Sequence, residues 1–275
     1  MSYEILTPSS RVLRKENLFF DGETSLIYKD KDLLYKLYLK KEPHRREYLD
    51  YLIEHYDSLK EYSIPPLSKL KYENNYGMKM RYIEGMDFYD YIRSNISPEE
   101  FIRILKILSK NLRRLNELNI IYTDLHHHNI IIRKGDNYPI YIDLDDTNIN
   151  NQGSNHLSRK TYHLHNLEQK DYNYEDELLK YANLDRECLI MFFLDYLVRK
   201  SIEKLSYSDY RKYIEKLKDY FDRDFIEAIK ELKPRDDNNT IIKYPYYIDE
   251  FLDDEEKIAS GIKKVKRYIY ENGNI

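Results

Sequence analysis

Tryptophan is absent, there is a single cysteine, and alanine occurs only three times, at Ala182, Ala228 and Ala259. The lone Cys188 excludes a disulfide framework within the chain and fits a reducing compartment, so the cytoplasm is the expected location. Long hydrophobic runs are missing too. The densest, Leu189 to Leu194, spans six residues, against the roughly 20 that a membrane-spanning helix needs. The opening Met1-Ser2-Tyr3-Glu4 has no basic stretch leading into an apolar one, so no secretory signal is expected. Neither sign of charge dominates: 45 basic residues face 49 acidic ones, a formal charge of −4. That balance supplies no electrostatic footprint for nucleic acid or for an anionic membrane surface.

What is present is a foldable composition, 41% hydrophobic and 14% aromatic, which excludes general disorder. A chain of 275 residues buries roughly 70–75% of its unfolded surface and needs no metal or disulfide to do so. With domains of about 150 residues as the yardstick, it holds one or two. The 30 tyrosines take packing duties that phenylalanine, leucine and alanine carry elsewhere. Codon bias accounts for them, and no function follows.

Residues 10–41 read as strands. Ser25 to Lys29 and Leu33 to Leu39 flank Asp30-Lys31-Asp32, a three-residue polar turn of hairpin type. After Pro43, the residues Tyr48, Leu49, Leu52, Ile53 and Tyr56 recur at helical spacing. Pro65-Pro66 ends that helix region. A second hairpin is expected over 69–73 and 76–83, turning at Asn74-Asn75.

From Gly85 the pattern turns helical. Ser97-Pro98-Glu99-Glu100 reads as N-cap, N1 proline and N3 glutamate of a capping box. Phe101, Ile104, Leu105, Leu108, Leu112, Leu115 and Leu118 carry the apolar stripe to a stop near Asn119. Two short strands follow, Asn129 to Arg133 and Ile140 to Leu144. Residues 146–174 are polar and read as a long loop, and helices dominate from about Glu175 to the end.

The chemistry concentrates in Tyr122-Thr123-Asp124-Leu125-His126-His127-His128-Asn129, between the long helix and a strand, and in Asp143-Leu144-Asp145-Asp146 after the next strand. Hard cations take oxygen ligands, commonly one or two carboxylates plus phosphate oxygens. A tight loop lets Asp124 and Asn129 point one way, and the following hairpin returns Asp143 beside Asn129. The triple histidine invites a zinc reading, with His156, His163 and His165 as further ligands. Adjacent residues do not readily converge on one tetrahedral ion, and no cysteine pair or His-Glu helix motif supports such a site.

An Asp, an Asn five residues on and an Asp fourteen residues beyond that resemble the catalytic loop and metal motif of the protein kinase-like superfamily. The resemblance covers most of residues 10–200 and is strongest in those two motifs. It implies an α+β, two-lobed fold: an antiparallel-β N-lobe with one helix over about 1–83, and a larger, mostly helical C-lobe over 84–275. It implies ATP and Mg²⁺ as cofactors, bound between the lobes, and transfer of the γ-phosphoryl group to a hydroxyl. Asp124 would be the catalytic base or orienter, and Asn129 and Asp143 the metal ligands. Lys36 would contact the phosphates and Glu47 would hold it. Met80 would sit at the back of the adenine pocket, with Arg81 and Ile83 in the connector whose backbone binds adenine, and Gly22 would be the remnant of the phosphate loop. Plainer readings stand beside these: a snorkelling lysine at Lys36, a solvated Glu47, an ordinary turn glycine at Gly22.

The departures narrow the family. Tyr122 and Thr123 replace the usual His-Arg, the metal motif lacks its glycine, and only Gly22 is available for a glycine loop. The chain is in these respects similar to divergent bacterial kinases, and in His126 and Asp145 to aminoglycoside and choline phosphotransferases. Asp145 or Asp146 is either a second metal ligand or a solvated turn carboxylate, and Asp185 or Asp176 the aspartate that braces the catalytic loop. A protein hydroxyl, as for a serine/threonine kinase, is the expected acceptor. The alternatives are a small-molecule kinase and an inactive pseudokinase serving as a binding module.

Overall fold

A computed structural model describes residues 3–7, 9–22, 24–39, 44–150, 152–153, 184–198, 204–232 and 246–272, with the side chains of 44–47, 152–153 and 184 outside that description. It is mixed α+β, with a mostly antiparallel sheet in the N-terminal part and helices through the C-terminal part. No helix among the described residues is long and apolar enough to cross a membrane.

The chain divides into two compact units: residues 1–86 with 130–146, and residues 87–129 with 147–275. This differs from a single cut after residue 83. The 130–146 hairpin joins the first unit because its strands bond there: Ile64 and Tyr141 exchange backbone hydrogen bonds with and beside each other, Ile64 N to Tyr141 O and Tyr141 N to Tyr62 O, both at 3.0 Å.

The first unit is built on a six-stranded sheet in the order β1-β5-β6-β4-β3-β2. Its strands are β1 (Tyr3–Leu6), β2 (Leu18–Asp21), β3 (Ser25–Asp30), β4 (Leu33–Tyr38), β5 (Pro66–Tyr72) and β6 (Asn75–Arg81). Both expected hairpins form, the first with a turn one residue shorter than expected and the second with its turn one residue earlier. The first turns at Lys31-Asp32 and the second at Glu73-Asn74, and Lys31 and Glu73 take positive φ angles of 57° and 52°. Residues 10–17 are not strand: Arg11–Leu13 and Lys15–Asn17 are single 3-10 turns. β1, which the alternation of so short a segment does not reveal, pairs parallel with β5 at the sheet edge.

Helix α1 (His44–Glu54) and the single turn α2 (Tyr56–Leu59) follow β4. α1 buries Tyr48, Leu49 and Leu52, the apolar face expected from spacing. Leu49 joins Tyr38, Ile64, Met78, Met80 and Ile140 in one core cluster. A three-stranded sheet completes the unit, with β7 (Gly85–Asp87), β9 (Ile130–Arg133) and β10 (Pro139–Tyr141) in the order β10-β9-β7.

The second unit centres on α4 (Pro98–Glu117), preceded by α3 (Phe88–Arg93). Ser97 caps α4 as expected, its Oγ accepting from Glu100 N at 3.1 Å. The Glu100 carboxylate accepts from Tyr91 and Arg103. Phe101, Ile104, Leu105, Leu108, Leu112 and Leu115 are fully buried, each such side chain contributing about 1.5–3 kcal/mol. Asn119, at φ 53°, stops the helix in the left-handed region. β8 (Ile120–Ile121), β11 (Asn148–Ile149) and β12 (Gln152–Gly153) form a short antiparallel sheet, the last two inside what sequence alone reads as the 146–174 loop. Residues 154–174 of that expected loop lie outside the described residues. Among the described residues, helices α5 (Leu184–Val198), α6 (Tyr207–Lys216), α7 (Arg223–Glu231) and α8 (Glu255–Asn272) follow.

Candidate functional site

In the first unit, β4 carries Lys36 and Tyr38 on one sheet face, since side chains two apart share a face. Lys36 is buried between apolar neighbours, not snorkelling. Its Nζ lies 3.0 Å from Asp143 Oδ1, and 3.1 and 3.0 Å from Oδ1 and Oδ2 of Asp145. Tyr38 donates its hydroxyl to Asp145 Oδ2 at 2.8 Å. Burial alone would push the Lys36 ammonium down. The two carboxylates outweigh it and hold the lysine above its ordinary range, charged.

The two aspartates differ. The Asp145 side chain is 0% exposed and that of Asp143 is 41% exposed. Asp143 takes φ 60°, a left-handed conformation that aspartate tolerates better than most residues but still at a cost of order 1–2 kcal/mol. It ends the segment after β10 and starts the 3-10 turn Leu144–Asp146, with Asp146 N bonding back to Asp143 O at 3.3 Å. Functional sites hold non-glycine residues there, as do tight turns such as those of Lys31 and Glu73.

Gly77 supports this arrangement. It faces Leu37 across β6 and β4, and a Cβ placed on it would fall on the Lys36 carbonyl oxygen. Only glycine lets the strands approach so closely there. α1 is fastened to the same sheet by Lys69, buried on β5, whose Nζ is 2.7 Å from Asp50 Oδ1. Glu47 sits on α1 three residues before Asp50. Its side chain is outside the described atoms, so the expected Lys36–Glu47 pair is too, and the described carboxylate partners of Lys36 are the two aspartates.

The connector residues are also in this unit. Met80 is buried in the core cluster with Leu49 and Ile140, and Ile83 packs against its edge. Arg81 is exposed and pairs with Leu33 at the end of β6. Tyr82 N bonds to Asp32 O at 2.8 Å, whereas the backbone N–H and C=O of Ile83 have no hydrogen-bond partner among the described residues. Gly22 is a turn glycine between β2 and β3. Its N–H, which a phosphate cradle would need, is donated to Ser25 O at 3.0 Å.

In the second unit, Tyr122 and Thr123 are buried and anchor the loop that leads to Asn129. Asn129 donates its side-chain amide to Asp124 O at 2.9 Å and its N–H to His126 O at 3.0 Å, closing Asp124–Asn129 into a tight turn. Its Oδ1 takes no hydrogen bond from any described residue. The Asp124 side chain is partly exposed, with His126 Nε2 3.8 Å from its Oδ2. The three histidines diverge. His127 turns inward, its ring 4.1 Å from that of Phe192, and exposed His128 bonds Asp87 Oδ2 at 2.8 Å. Among the described residues no group of three or more His, Cys, Asp or Glu side chains is placed to hold a metal ion. His156, His163 and His165 lie outside the described residues, as does Asp176.

Asp185 braces the loop from α5. It is fully buried, its Oδ2 accepts from Asn116 Nδ2 at 2.8 Å and from Tyr122 N at 3.4 Å, and its Oδ1 accepts from Arg186 N at 2.9 Å. Tyr247 extends the chain of contacts by donating to Asn116 Oδ1 at 2.8 Å. Burial raises the Asp185 carboxyl to about 6, although the hydrogen bond from Asn116 and the charge of Arg186 pull the other way.

Sequence reasoning placed Lys36 and Asp143 in one site, and the first unit brings them together. It did not find Tyr38 or Gly77, and it left Asp145 open between metal ligand and solvated turn. The period-two spacing of Lys36 and Tyr38 was the available signal for the tyrosine. The solvated reading of Asp145 is corrected by its complete burial. No known protein-family model matches the chain, and no curated protein matches it.

Proposed function

We propose that the chain is a phosphotransferase that moves the γ-phosphoryl group of ATP to a hydroxyl, with its two units as the lobes of a kinase-like fold working in the cytoplasm. The observation that carries this reading is the Lys36–Asp143 pair. A buried lysine kept charged by carboxylates lies beside an aspartate that is held in a left-handed backbone and open to solvent. A fixed ammonium is a point charge suited to phosphate oxygens. A carboxylate and an amide oxygen are hard donors suited to Mg²⁺.

When bound, ATP supplies the phosphoryl group and Mg²⁺ offsets the charge of its phosphates. The chain's own groups do the rest. Lys36 binds the α- and β-phosphates. Asp143 would supply a carboxylate to the metal, and Asn129 is the second ligand that the sequence resemblance implies. The backbone N–H and C=O of Ile83, without a partner among the described residues, would meet an adenine edge, with Met80 and Arg81 as its neighbours in the chain. Asp124 orients the acceptor hydroxyl and takes its proton, a contribution of about 10²–10⁴ in rate. A protein hydroxyl is the proposed acceptor, because the polar stretch 146–174 reads more like an activation segment than a small-substrate pocket. A small-molecule alcohol uses the same groups.

A nucleotide-holding pseudokinase would bind through the same first-unit residues and leave Asp124 idle. Incubation with γ-labelled ATP and Mg²⁺, alone and with candidate acceptors, separates the two. Incorporated label that disappears in Asp124→Ala supports transfer. Mg²⁺-dependent thermal stabilisation by ATP without any label supports the binding module. Ligand at about 100 times its Kd stabilises by about 2.7 kcal/mol, so no shift at millimolar Mg²⁺-ATP refutes both.

A further inference from the structure

We propose that Asp145, clamped by Tyr38, is the positioning residue that keeps Lys36 in place, and that it is not a ligand of the metal. The inference rests on the phosphotransferase reading and assigns a division of labour to its two neighbouring aspartates. Lys36 holds both carboxylates at hydrogen-bond distance, 3.0 Å to Asp143 and 3.0 to 3.1 Å to Asp145. Only one of the two can be given up cheaply. The Asp143 side chain is 41% exposed, so water or a cation replaces the lysine as its partner at small cost. The Asp145 side chain is 0% exposed, and removing one partner of such a buried pair leaves an uncompensated charge.

Tyr38 reinforces the distinction. Its hydroxyl donates to Asp145 Oδ2 at 2.8 Å, so the carboxylate has a second donor from the same strand that carries Lys36. The tyrosine is itself buried in the cluster with Leu49, Met78 and Ile140. Asp145 is thus tied to β4 at two points two residues apart. A metal ligand needs an oxygen that can face solvent and phosphate. Asp145 presents neither oxygen to solvent, because Lys36 and Tyr38 cover them. Asp143 therefore exchanges between lysine and metal, while Asp145 holds the ammonium that meets the phosphates.

The test uses the full chain as wild type, Asp143→Asn, Asp145→Asn and Tyr38→Phe, with two readouts. The first is the rate at which an amine-reactive acylating reagent labels Lys36 in nucleotide-free protein, read by peptide mass spectrometry. The second is calorimetric affinity for ATP as a function of Mg²⁺ concentration. A hydrogen bond to a charged group corresponds to about 10–100-fold. Asp145→Asn should raise Lys36 labelling by about that factor, and weaken ATP while leaving the Mg²⁺ concentration for half-maximal binding unchanged. Asp143→Asn should do the reverse, changing labelling little and raising the Mg²⁺ requirement. Tyr38→Phe, which keeps the ring in the core, should follow Asp145→Asn with a smaller effect of about 3–10-fold, and it decides the matter if Asp145→Asn does not fold. A raised Mg²⁺ requirement in Asp145→Asn or Tyr38→Phe, with Lys36 labelling as in wild type, would overturn the proposal and make Asp145 a metal ligand. If wild type binds no Mg²⁺-ATP, the phosphotransferase reading fails by itself, and unchanged labelling across the variants then refutes the positioning role separately.

Discussion

Asp185 offers a test in which charge alone is altered. It sits fully buried under the start of the Tyr122–Asn129 loop, with three hydrogen-bond donors on its carboxylate. Burial raises its pKa from 3.8 to about 6. The folded chain therefore binds more protons than the unfolded chain between about pH 4 and pH 6, and stability contributed by this group falls as pH rises through that window. It is fully present below pH 3.8 and lost above about 6. A shift of about two units at 1.36 kcal/mol each comes to about 3 kcal/mol. Asp185→Asn keeps the shape and cannot ionise, but its NH2 faces an N–H whose hydrogen bond a carboxylate oxygen accepts, a cost that does not vary with pH. The stability of the variant relative to wild type should therefore move in the variant's favour by about 3 kcal/mol between pH 4 and pH 7.5. In thermal unfolding that is about 6–12 °C. Urea titrations of both proteins at pH 4.5, 5.5, 6.5 and 7.5 measure it, and the difference between the two cancels groups that titrate in both. A difference that stays flat with pH, or that favours wild type as pH rises, would refute the argument that burial outweighs the Asn116 and Arg186 contributions.

Three further outcomes follow from the packing. Gly77→Ala drives a methyl group into the Lys36 carbonyl oxygen; such overpacking costs about 1–3 kcal/mol, and the variant should lose Mg²⁺-ATP stabilisation along with melting temperature, whereas an unchanged response would show that β4 does not depend on the close approach. Lys36→Met takes the ammonium away from the buried Asp145 carboxylate and should cost about 3–5 kcal/mol in urea unfolding. Lys29→Ala gives up an ammonium 3.3 Å over the Tyr82 ring and 5.6 Å over that of Phe19, a contact worth about 0.5–1 kcal/mol, so equal losses in the two variants would contradict the buried pair. Ser97→Ala removes the cap that accepts from Glu100 N and should lower unfolding free energy by about 1 kcal/mol; no measurable loss would mean that Pro98 and the buried stripe set the start of α4 without it.

The parts of the fold that were legible are those written in local pattern. Both N-terminal hairpins, the buried face of α1 and the whole of α4 follow from alternation, helical spacing and a capping serine, each readable within a short window. The first turn is two residues instead of three and the second begins a residue early, because Lys31 and Glu73 adopt the left-handed region, which composition favours for asparagine and glycine instead. β1 was not legible for a different reason. Four residues carry too little alternation to identify a strand, and the partner of Tyr3 is Lys69 on β5. The assignment of 130–146 to the first unit is equally non-local, since it depends on Ile64 and Tyr141 meeting across the chain.

The site divides along the same line. Asp124, Asn129 and Asp143 stand out because oxygen-bearing side chains at short, fixed spacing flank strands, and Lys36 because a charge interrupts an apolar strand. What a lysine in such a strand does about its charge is a question of distance, and spacing cannot answer it. Here the answer is a pair of aspartates, Asp143 first and Asp145 beside it. Asp145 stands where the kinase resemblance leads one to expect glycine. A carboxylate there would be unfavourable if left alone in the core. It persists because Lys36 and Tyr38 both reach it. The missing glycine and the buried lysine are thus linked: the residue that departs from the expected pattern is the buried member of the two counter-charges that keep Lys36 ionised out of water.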